Sequence, residues 1–167
     1  MKPTIYQIKS IGKGSLFAMA KPVADDFMEQ QFAKLANEGI NRIVSLMEID
    51  EAGKAGLEEE ILLTEKHRME FVSFPIQDRG MPGSISEFSK FTRGLYDDIA
   101  NGLNTVVHCY AGIGRTGMAC AAVLLHDGLQ PEQAFQHISL KRGVSVPDTQ
   151  QQIDWIVNNR DAIVNLT

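Results

Sequence analysis

The sequence predicts an α/β fold in which a mainly parallel central sheet is flanked by helices. Short apolar segments bounded by glycine, proline or asparagine alternate along the chain with longer segments whose apolar residues recur at helical spacing. Strands that alternate with helices build parallel sheets, because each helix crosses over the sheet between two strands. A glycine-rich stretch, HCYAGIGRTG, directly follows one of the predicted strands, and in such sheets ligands bind beyond the carboxyl ends of the strands.

The first half of the chain is predicted to contain a hairpin, two helices and a strand. Gly12 and Gly14 separate two short apolar pieces, which is a pattern typical of a hairpin. In chain order the predicted elements are a hairpin over 5–8 and 15–18, a helix over 24–37, a strand over 43–46 and a charged helix over 54–67. The acidic run Glu58, Glu59, Glu60 is expected to form a solvated face, because charged side chains are rarely buried.

The second half continues the alternation of strands and helices. Ser84 and Glu87 form a capping-box pattern, which predicts the start of a helix. In chain order the predicted elements are a strand over 70–74, a helix over 84–100, a strand over 105–108 and helices over 115–126, 131–140 and 149–165. The strands over 70–74 and 105–108 are each followed by a loop. If these strands are parallel, both loops lie at the same edge of the sheet.

Length, composition and charge narrow the class of protein. The 167 residues predict a single domain, 1–167, with a substantial core. The chain is 44% hydrophobic and 22% charged, which is typical of a globular protein. The net charge of -5, with no long basic run, argues against a nucleic-acid partner.

The sequence also predicts a cytoplasmic location. The first ten residues contain no apolar stretch followed by a small-residue cleavage site, and the longest apolar run, 118–125, is too short for a membrane span. The two cysteines, Cys109 and Cys120, are too few for a disulfide framework and fit a reducing compartment. Cys120 is expected to lie in the core of the following helix, out of disulfide reach of Cys109.

The stretch HCYAGIGRTG is predicted to form an anion cradle between a strand and a helix. Gly112 and Gly114 can adopt positive φ, so that successive amide N–H groups point inward, and the start of the helix adds free donors. Such a cradle suits a tetrahedral oxyanion, and we expect phosphate, sulfate or vanadate to bind there. The predicted phosphate-binding residues are Tyr110, Ala111, Gly112, Ile113, Gly114 and Arg115.

Residue types in and beside this cradle indicate covalent catalysis. Cationic groups and a helix N-terminus favour the thiolate form of a cysteine, so Cys109 is the predicted nucleophile. The planar fork of Arg115 can grip two phosphate oxygens. The Thr116 hydroxyl is expected to donate to the cysteine sulfur, and the ring of His108 is expected to order the loop. Together these residues predict attack on a bound phosphorus to give a phosphocysteine.

A general acid must protonate the leaving oxygen, and Asp78 is the outstanding candidate. It lies in the loop FPIQDRGMP, which follows the neighbouring predicted strand. In the second step Asp78 would accept a proton from the water that attacks the phosphocysteine. The alternative role for Asp78 is to organise its loop as an Asx-turn residue. One of Gln150, Gln151 and Gln152 could orient that water, although a polar face at a helix start is the simpler interpretation.

The pattern H-C-x5-R-[ST] resembles the signature of the cysteine-dependent protein tyrosine phosphatase superfamily at every fixed position. This resemblance implies a phosphotyrosine protein phosphatase-like fold. The stretch PIQDRGMP is similar to the P-I-x-D-x-G-x-P pattern on which this family carries its acid, which implies that role for Asp78. In size and layout, including the segment 142–147, the chain resembles the compact dual-specificity branch and, within it, the kinase-associated phosphatase type.

The resemblance implies a phosphatase that acts on phosphotyrosine, phosphoserine or phosphothreonine in a protein or peptide. A phosphoinositide or another non-protein phosphate ester is an alternative substrate, but the cradle holds no basic residue at positions 110–114. RNA triphosphate hydrolysis is disfavoured by the acidic balance. A non-catalytic phosphate-binding module is the alternative of another class. No metal or other cofactor is expected, because His67, His126 and His137 lack ligand-like spacing.

Overall fold

The computed structural model describes residues 4–165, so both ends of the predicted domain 1–167 lie outside the described residues. The strands are β1 (Tyr6–Ile11), β2 (Gly14–Met19), β3 (Arg42–Ser45), β4 (Glu70–Ser73) and β5 (Thr105–His108). The helices are α1 (Met28–Asn37), α2 (Ile49–Lys54), α3 (Glu60–Lys66), α4 (Ile85–Ala100), α5 (Gly114–His126), α6 (Pro131–Arg142), α7 (Gln150–Asn158) and α8 (Arg160–Asn165).

The five strands form one sheet in the order β1-β2-β5-β3-β4. β1 and β2 pair antiparallel as the predicted hairpin, and the remaining neighbours pair parallel. The predicted α/β fold with a mainly parallel sheet is therefore confirmed. The capping box that predicted α4 is also present, because the Ser84 hydroxyl accepts a hydrogen bond from the Glu87 N–H at 3.1 Å.

Helices cover the sheet on both faces, and alternate residues of a strand serve the two sides. In β5, Val106 belongs to an apolar cluster with α1 and α3, whereas Val107 belongs to a larger cluster with α4 to α8. α5 is buried along its length, from Gly114 to Leu125, which explains its strongly apolar sequence. Within residues 4–165 no helix is both long and apolar enough to cross a membrane.

Two of the predicted helices differ in the structure. The helix predicted over 54–67 is present only from Glu60, as α3, because a turn at Gly56 with φ +77° follows α2, a helix over Ile49–Lys54 that was not predicted. Leu57, which follows that glycine, is buried. The last predicted helix, 149–165, is divided into α7 and α8 at Asn159.

The pairing register brings the two predicted functional loops to one edge of the sheet. Ser45, the last residue of β3, lies opposite Ser73 in β4 and His108 in β5. β4 and β5 flank β3 and run parallel to it, so their carboxyl ends meet at this edge. The loop after β4 carries Asp78 and the loop after β5 carries Cys109.

Candidate active site

The loop between β5 and α5 has the backbone that an anion cradle requires. Gly112 has a φ of +73°, and a Cβ atom there would lie 2.4 Å from the Met19 carbonyl oxygen, so only glycine fits. The expectation of positive φ is wrong for Gly114, because its φ lies outside that region. A Cβ at that position would lie 2.5 Å from the carboxylate of Asp148, so a larger residue there would displace this side chain.

Arg142, at the end of α6, holds the same loop from behind. Its Nε–H donates to the Gly112 carbonyl and one terminal N–H donates to the Ala111 carbonyl, both at 3.1 Å. The guanidinium also stacks over the ring of Tyr6, with 4.2 Å between the guanidinium carbon and the ring centroid. Carbonyls that are held on one side of a tight loop leave the neighbouring amide N–H groups free on the other side. Arg142 therefore helps to keep the cradle open towards an anion.

Cys109 and His108 are both buried beneath this loop. Cys109 is 3% exposed and His108 is fully buried. The His108 Nδ1–H donates to the Cys109 carbonyl at 3.0 Å, and Nε2 contacts the Glu60 carboxylate at 2.6 Å. Because a carbonyl and a carboxylate both accept, both ring nitrogens carry hydrogens and the ring is an imidazolium. His108 thus orders the loop as predicted and places a positive charge next to the thiol.

The pKa of His108 agrees with this assignment. Burial alone lowers it, but the charge and hydrogen bond of Glu60 raise it more, so that it lies above the ordinary value of 6.5. Glu60 is only 2% exposed. The expectation that the acidic run is a solvated face is therefore wrong for Glu60, because α3 begins at this residue and directs its carboxylate beneath β5. Glu58 and Glu59 are exposed, as expected.

Arg115 is buried in the first turn of α5, and its guanidinium is held by three groups. The two terminal nitrogens donate to the two carboxylate oxygens of Glu51, each at 2.7 Å. One of them also donates to the Ile76 carbonyl at 2.9 Å, and the other donates to Asp78 Oδ1 at 3.2 Å. The sequence predicted that the guanidinium of Arg115 would bind phosphate, but it did not indicate the contact with Glu51.

The arrangement leaves one edge of this guanidinium available to an anion. Glu51 holds the edge formed by the two terminal nitrogens, while Nε–H has no acceptor among the described residues. An arginine has five donors, so Nε–H and the hydrogen now shared with Asp78 can still grip two oxygens of an anion. Burial lowers the pKa of Arg115, but Glu51, Cys109 and Asp78 together raise it above its ordinary value.

Asp78 lies at the open side of the site, and its side chain is 64% exposed. Arg79, the next residue, has a φ of +58°, which turns the loop sharply at this point. A cavity of about 430 Å³ opens beside Asp78 and Tyr110. The charged residues along this cavity are Glu48, Asp50, Glu51, Lys54 and Asp78. Four carboxylates against one lysine make this rim acidic.

The remaining predicted site residues are placed as follows. Tyr110 and Ala111 are exposed at the tip of the loop, where the Lys21 ammonium lies 4.8 Å from the centroid of the tyrosine ring. Ile113 is half-buried and precedes α5. The hydrogen bond predicted from Thr116 to the cysteine sulfur is not made, since Oγ1 is buried and has no partner among the described residues.

The structure also answers the questions left open for the other candidates. Cys120 is fully buried in α5, burial raises the pKa of its thiol to about 12, and both cysteines are free thiols. Among the three glutamines, Gln150 contacts Asp154, Gln151 is exposed, and Gln152 is buried and tied to backbone groups. No group of three or more His, Cys, Asp or Glu side chains within residues 4–165 is placed to hold a metal ion.

A thiol at the base of an amide cradle, a clamping arginine and an exposed aspartate define the class of cysteine-dependent phosphatases. Residues 17–129 match the family model described as Tc-R-P: Polymorphic toxin system, DSP-PTPase phosphatase, and the chain belongs to this family. The matched range includes Asp78, Cys109 and Arg115. The resemblance to the compact dual-specificity branch is confirmed.

Sequence relatives and solved structures agree with this assignment. Human cyclin-dependent kinase inhibitor 3 is 32% identical over 91 residues, which are 53% of this chain and 42% of the human protein. The chain spans less than half the length of such relatives. The crystal structure of kinase associated phosphatase has the same fold, with a TM-score of 0.86 at 21% identity over 100% of this chain and 98% of that one. The crystal structure of PTPMT1 in complex with PI(5)P has a TM-score of 0.76 at 18% identity, over 96% of this chain and 97% of that one.

Proposed function

We propose that the protein hydrolyses phosphate monoesters on tyrosine, serine or threonine residues of proteins through a phosphocysteine intermediate. The observation that carries this proposal is the 3.2 Å contact between Arg115 and Asp78. It brings the anion clamp at the start of α5 together with an acid from a different loop. Cys109 is among the groups that raise the pKa of this guanidinium.

In the first step, the sulfur of Cys109 attacks phosphorus while the bond from phosphorus to the ester oxygen breaks. Asp78 gives its proton to the departing oxygen, which leaves as an alcohol or a phenol. The Nε edge of Arg115 and the loop amides stabilise the negative charge on the three equatorial oxygens. Bound phosphate competes with Asp78 for the same guanidinium hydrogen, so substrate binding frees Asp78 to act on the leaving group.

In the second step, a water oxygen attacks phosphorus and the bond from sulfur to phosphorus breaks. The electron pair of that bond returns to Cys109 as a thiolate, and the water proton passes to the Asp78 carboxylate. Inorganic phosphate leaves the cradle. The imidazolium of His108 supports the thiolate as a leaving group, because it places a positive charge beneath the loop.

The acidic rim favours a protein substrate over a polyphosphorylated one. Glu48, Asp50 and Glu51 lie along the cavity beside Asp78. Arg115 pairs with Glu51, and Lys54 is the cation that lines the cavity with them. Substrates with several phosphates are repelled by such a rim, whereas basic residues that flank a phosphorylated side chain are attracted to it. A phosphoinositide remains the second candidate, since the structural neighbour PTPMT1 has been solved with PI(5)P.

We also propose that residues 1–167 act as one catalytic domain in a reducing, cytoplasmic environment. The helices beyond the family match support the first part, because Arg142 and Gln152 reach back to the phosphate loop and the acid loop. A nucleophilic cysteine that must stay a free thiol supports the reducing environment, because an oxidising compartment would readily oxidise it.

Hydrolysis of p-nitrophenyl phosphate tests the chemistry. Cys109→Ser should abolish turnover, by at least about 10³-fold, because the nucleophile is lost. Asp78→Asn should lower kcat by about 10²-fold on an alkyl phosphate and by less on p-nitrophenyl phosphate, whose leaving group needs less help. Asp161→Asn, at an exposed site on α8, is the matched control. Binding of vanadate without turnover by the unmodified protein would instead establish a non-catalytic module.

The substrate class is tested with matched phosphopeptides. Peptides with arginine beside the phosphorylated residue should give a higher kcat/KM than peptides with glutamate there, and Asp50→Lys should reverse this preference. Glu59→Lys, outside the rim, should leave the preference unchanged. A higher kcat/KM on phosphoinositides than on every phosphopeptide would transfer the assignment to the second candidate.

A further inference from the structure

A second exposed carboxylate, Asp148, lies against the phosphate loop and has no role in the proposed cycle. Asp148 precedes α7, and one of its carboxylate oxygens lies only 2.5 Å from the position that a Cβ of Gly114 would occupy. Gly114 is the first residue of α5 and ends the cradle. Among the described residues the Asp148 carboxylate has no hydrogen-bond donor, although its own backbone N–H donates to Gln152.

Gln152 holds Asp148 in this place. Its side-chain oxygen accepts from the N–H groups of Asp148 and Thr149, at 3.1 and 3.2 Å. Its side-chain nitrogen donates to the Gly80 carbonyl at 3.2 Å, two residues beyond Asp78. With every polar atom of a fully buried side chain engaged, Gln152 is a brace between the acid loop and the start of α7.

This brace places Asp148 where the acid loop approaches the phosphate loop. In an in-line displacement, the water of the second step must reach phosphorus from the side opposite the sulfur, which is the side that the first leaving group has vacated. Asp78 serves that side from one direction. The Asp148 carboxylate lies beside Gly114, at the end of the cradle, and its backbone is tied through Gln152 to Gly80 in the acid loop.

We propose that Asp148 accepts a hydrogen bond from the attacking water during hydrolysis of the phosphocysteine. Water has two hydrogens, so one can be held by Asp148 while the other passes to Asp78. The oxygen then forms its bond to phosphorus, the bond from sulfur to phosphorus breaks, and Cys109 recovers its thiolate. This inference rests on the proposed function, and it assigns to Asp148 the water-orienting role for which the sequence offered only the glutamines.

The two steps are separated by rapid-quench kinetics with p-nitrophenyl phosphate. Asp148→Ala should lower the rate constant of phosphocysteine hydrolysis about tenfold and leave that of its formation unchanged. The value of kcat/KM depends only on steps up to the release of p-nitrophenol, so kcat and KM should fall by the same factor. Because hydrolysis of the phosphocysteine is then the slow step, the first turnover should release a burst of about one equivalent of p-nitrophenol. Asp148→Asn keeps an acceptor oxygen of the same shape and should restore most of the rate.

Asp154→Ala is the matched control, because Asp154 lies exposed on α7 and its carboxylate accepts a hydrogen bond from Gln150 on the same helix. It should change neither step. Equal loss in both steps for Asp148→Ala, or no loss in either, would overturn the role of Asp148. If the unmodified protein does not hydrolyse p-nitrophenyl phosphate, or if Cys109→Ser retains turnover, the proposed function itself fails, and this result is distinct from the other two.

Discussion

Two glutamates in the connection between β3 and β4 contact the candidate site, and their environments differ. Glu60, at the start of α3, is buried beneath the phosphate loop against His108. Glu51, in α2, remains partly open to solvent and grips the outer edge of Arg115. Glu60 pairs with a ring that stays buried, whereas the guanidinium that Glu51 holds is also proposed to bind phosphate. The buried pair therefore sustains the architecture, and the open pair aims the clamp.

The largest expected effect is a loss of stability when the buried pair of Glu60 and His108 is broken. Glu60→Ala should lower the free energy of unfolding by about 3 kcal/mol, because it leaves the His108 ring buried without its partner. Glu59→Ala, at the exposed neighbour, is the control and should change this free energy by less than about 0.5 kcal/mol. Urea denaturation measures both. Equal stability of the two variants would mean that the buried pair does not sustain the fold.

The next effect separates them by catalysis. Glu51→Ala should reduce kcat/KM about 30-fold, because the guanidinium edge that is available to an anion is no longer held in place. Its effect on the free energy of unfolding should be smaller than that of Glu60→Ala. Steady-state kinetics with p-nitrophenyl phosphate provide the measurement, with Glu58→Ala as control. A rise in kcat/KM would show instead that Glu51 competes with substrate for Arg115.

The two pairs also predict opposite pH dependences. The hydrogen bond from Arg115 is the main cause that holds the pKa of Glu51 below 4.5, so its stabilisation is complete above that value and is lost as pH falls through the lowered pKa. Burial lowers the pKa of His108 but Glu60 raises it above 6.5, so that stabilisation is complete below 6.5 and is lost as pH rises through the raised pKa.

Unfolding free energies of Glu51→Gln, Glu60→Gln and the unmodified protein across acid and alkaline pH test this contrast. In alkali the difference from the unmodified protein should shrink for Glu60→Gln but not for Glu51→Gln, and in acid it should shrink for Glu51→Gln. The same pH profile for both variants would contradict the assignment of an imidazolium at His108.

The smallest expected effect concerns the back of the loop. Arg142→Lys should weaken vanadate binding about threefold, because a lysine cannot hold the carbonyls of Ala111 and Gly112 together. Lys141→Ala, at the exposed preceding residue, should leave the affinity unchanged. Competition of vanadate against p-nitrophenyl phosphate gives the inhibition constants. Unaltered vanadate affinity in Arg142→Lys would show that the loop keeps its shape without this support.

The sequence allowed the α/β fold and the core of the site to be predicted, because both follow from local patterns. Alternating apolar segments set the strands and helices, and the cradle of Cys109 and Arg115 lies within ten consecutive residues. Asp78 could be found because the chemistry needs an acid and its loop follows a neighbouring strand. In each case the relevant residues are close in sequence or at the ends of predicted strands.

The contacts that could not be predicted join distant segments. Glu51 is 64 residues from Arg115, and Glu60 is 48 residues from His108. Among many surface glutamates, nothing local marks the two that are drawn to a buried cation. One weak signal was present, because Gly56 interrupts the charged segment predicted as a helix and is unfavourable inside a single helix. The division into α2 and α3 is what allows the two carboxylates to point in different directions.

The single connection between β3 and β4 supplies the carboxylates of both Glu51 and Glu60, so it can be transferred to another protein as one segment. Moving only the ten residues HCYAGIGRTG into another scaffold would leave the histidine and the arginine of the motif without their carboxylates. Moving residues 48–66 along with them would transfer both partners at once. The smallest graft that keeps the motif together with both carboxylates therefore consists of two segments, one after β3 and one after β5.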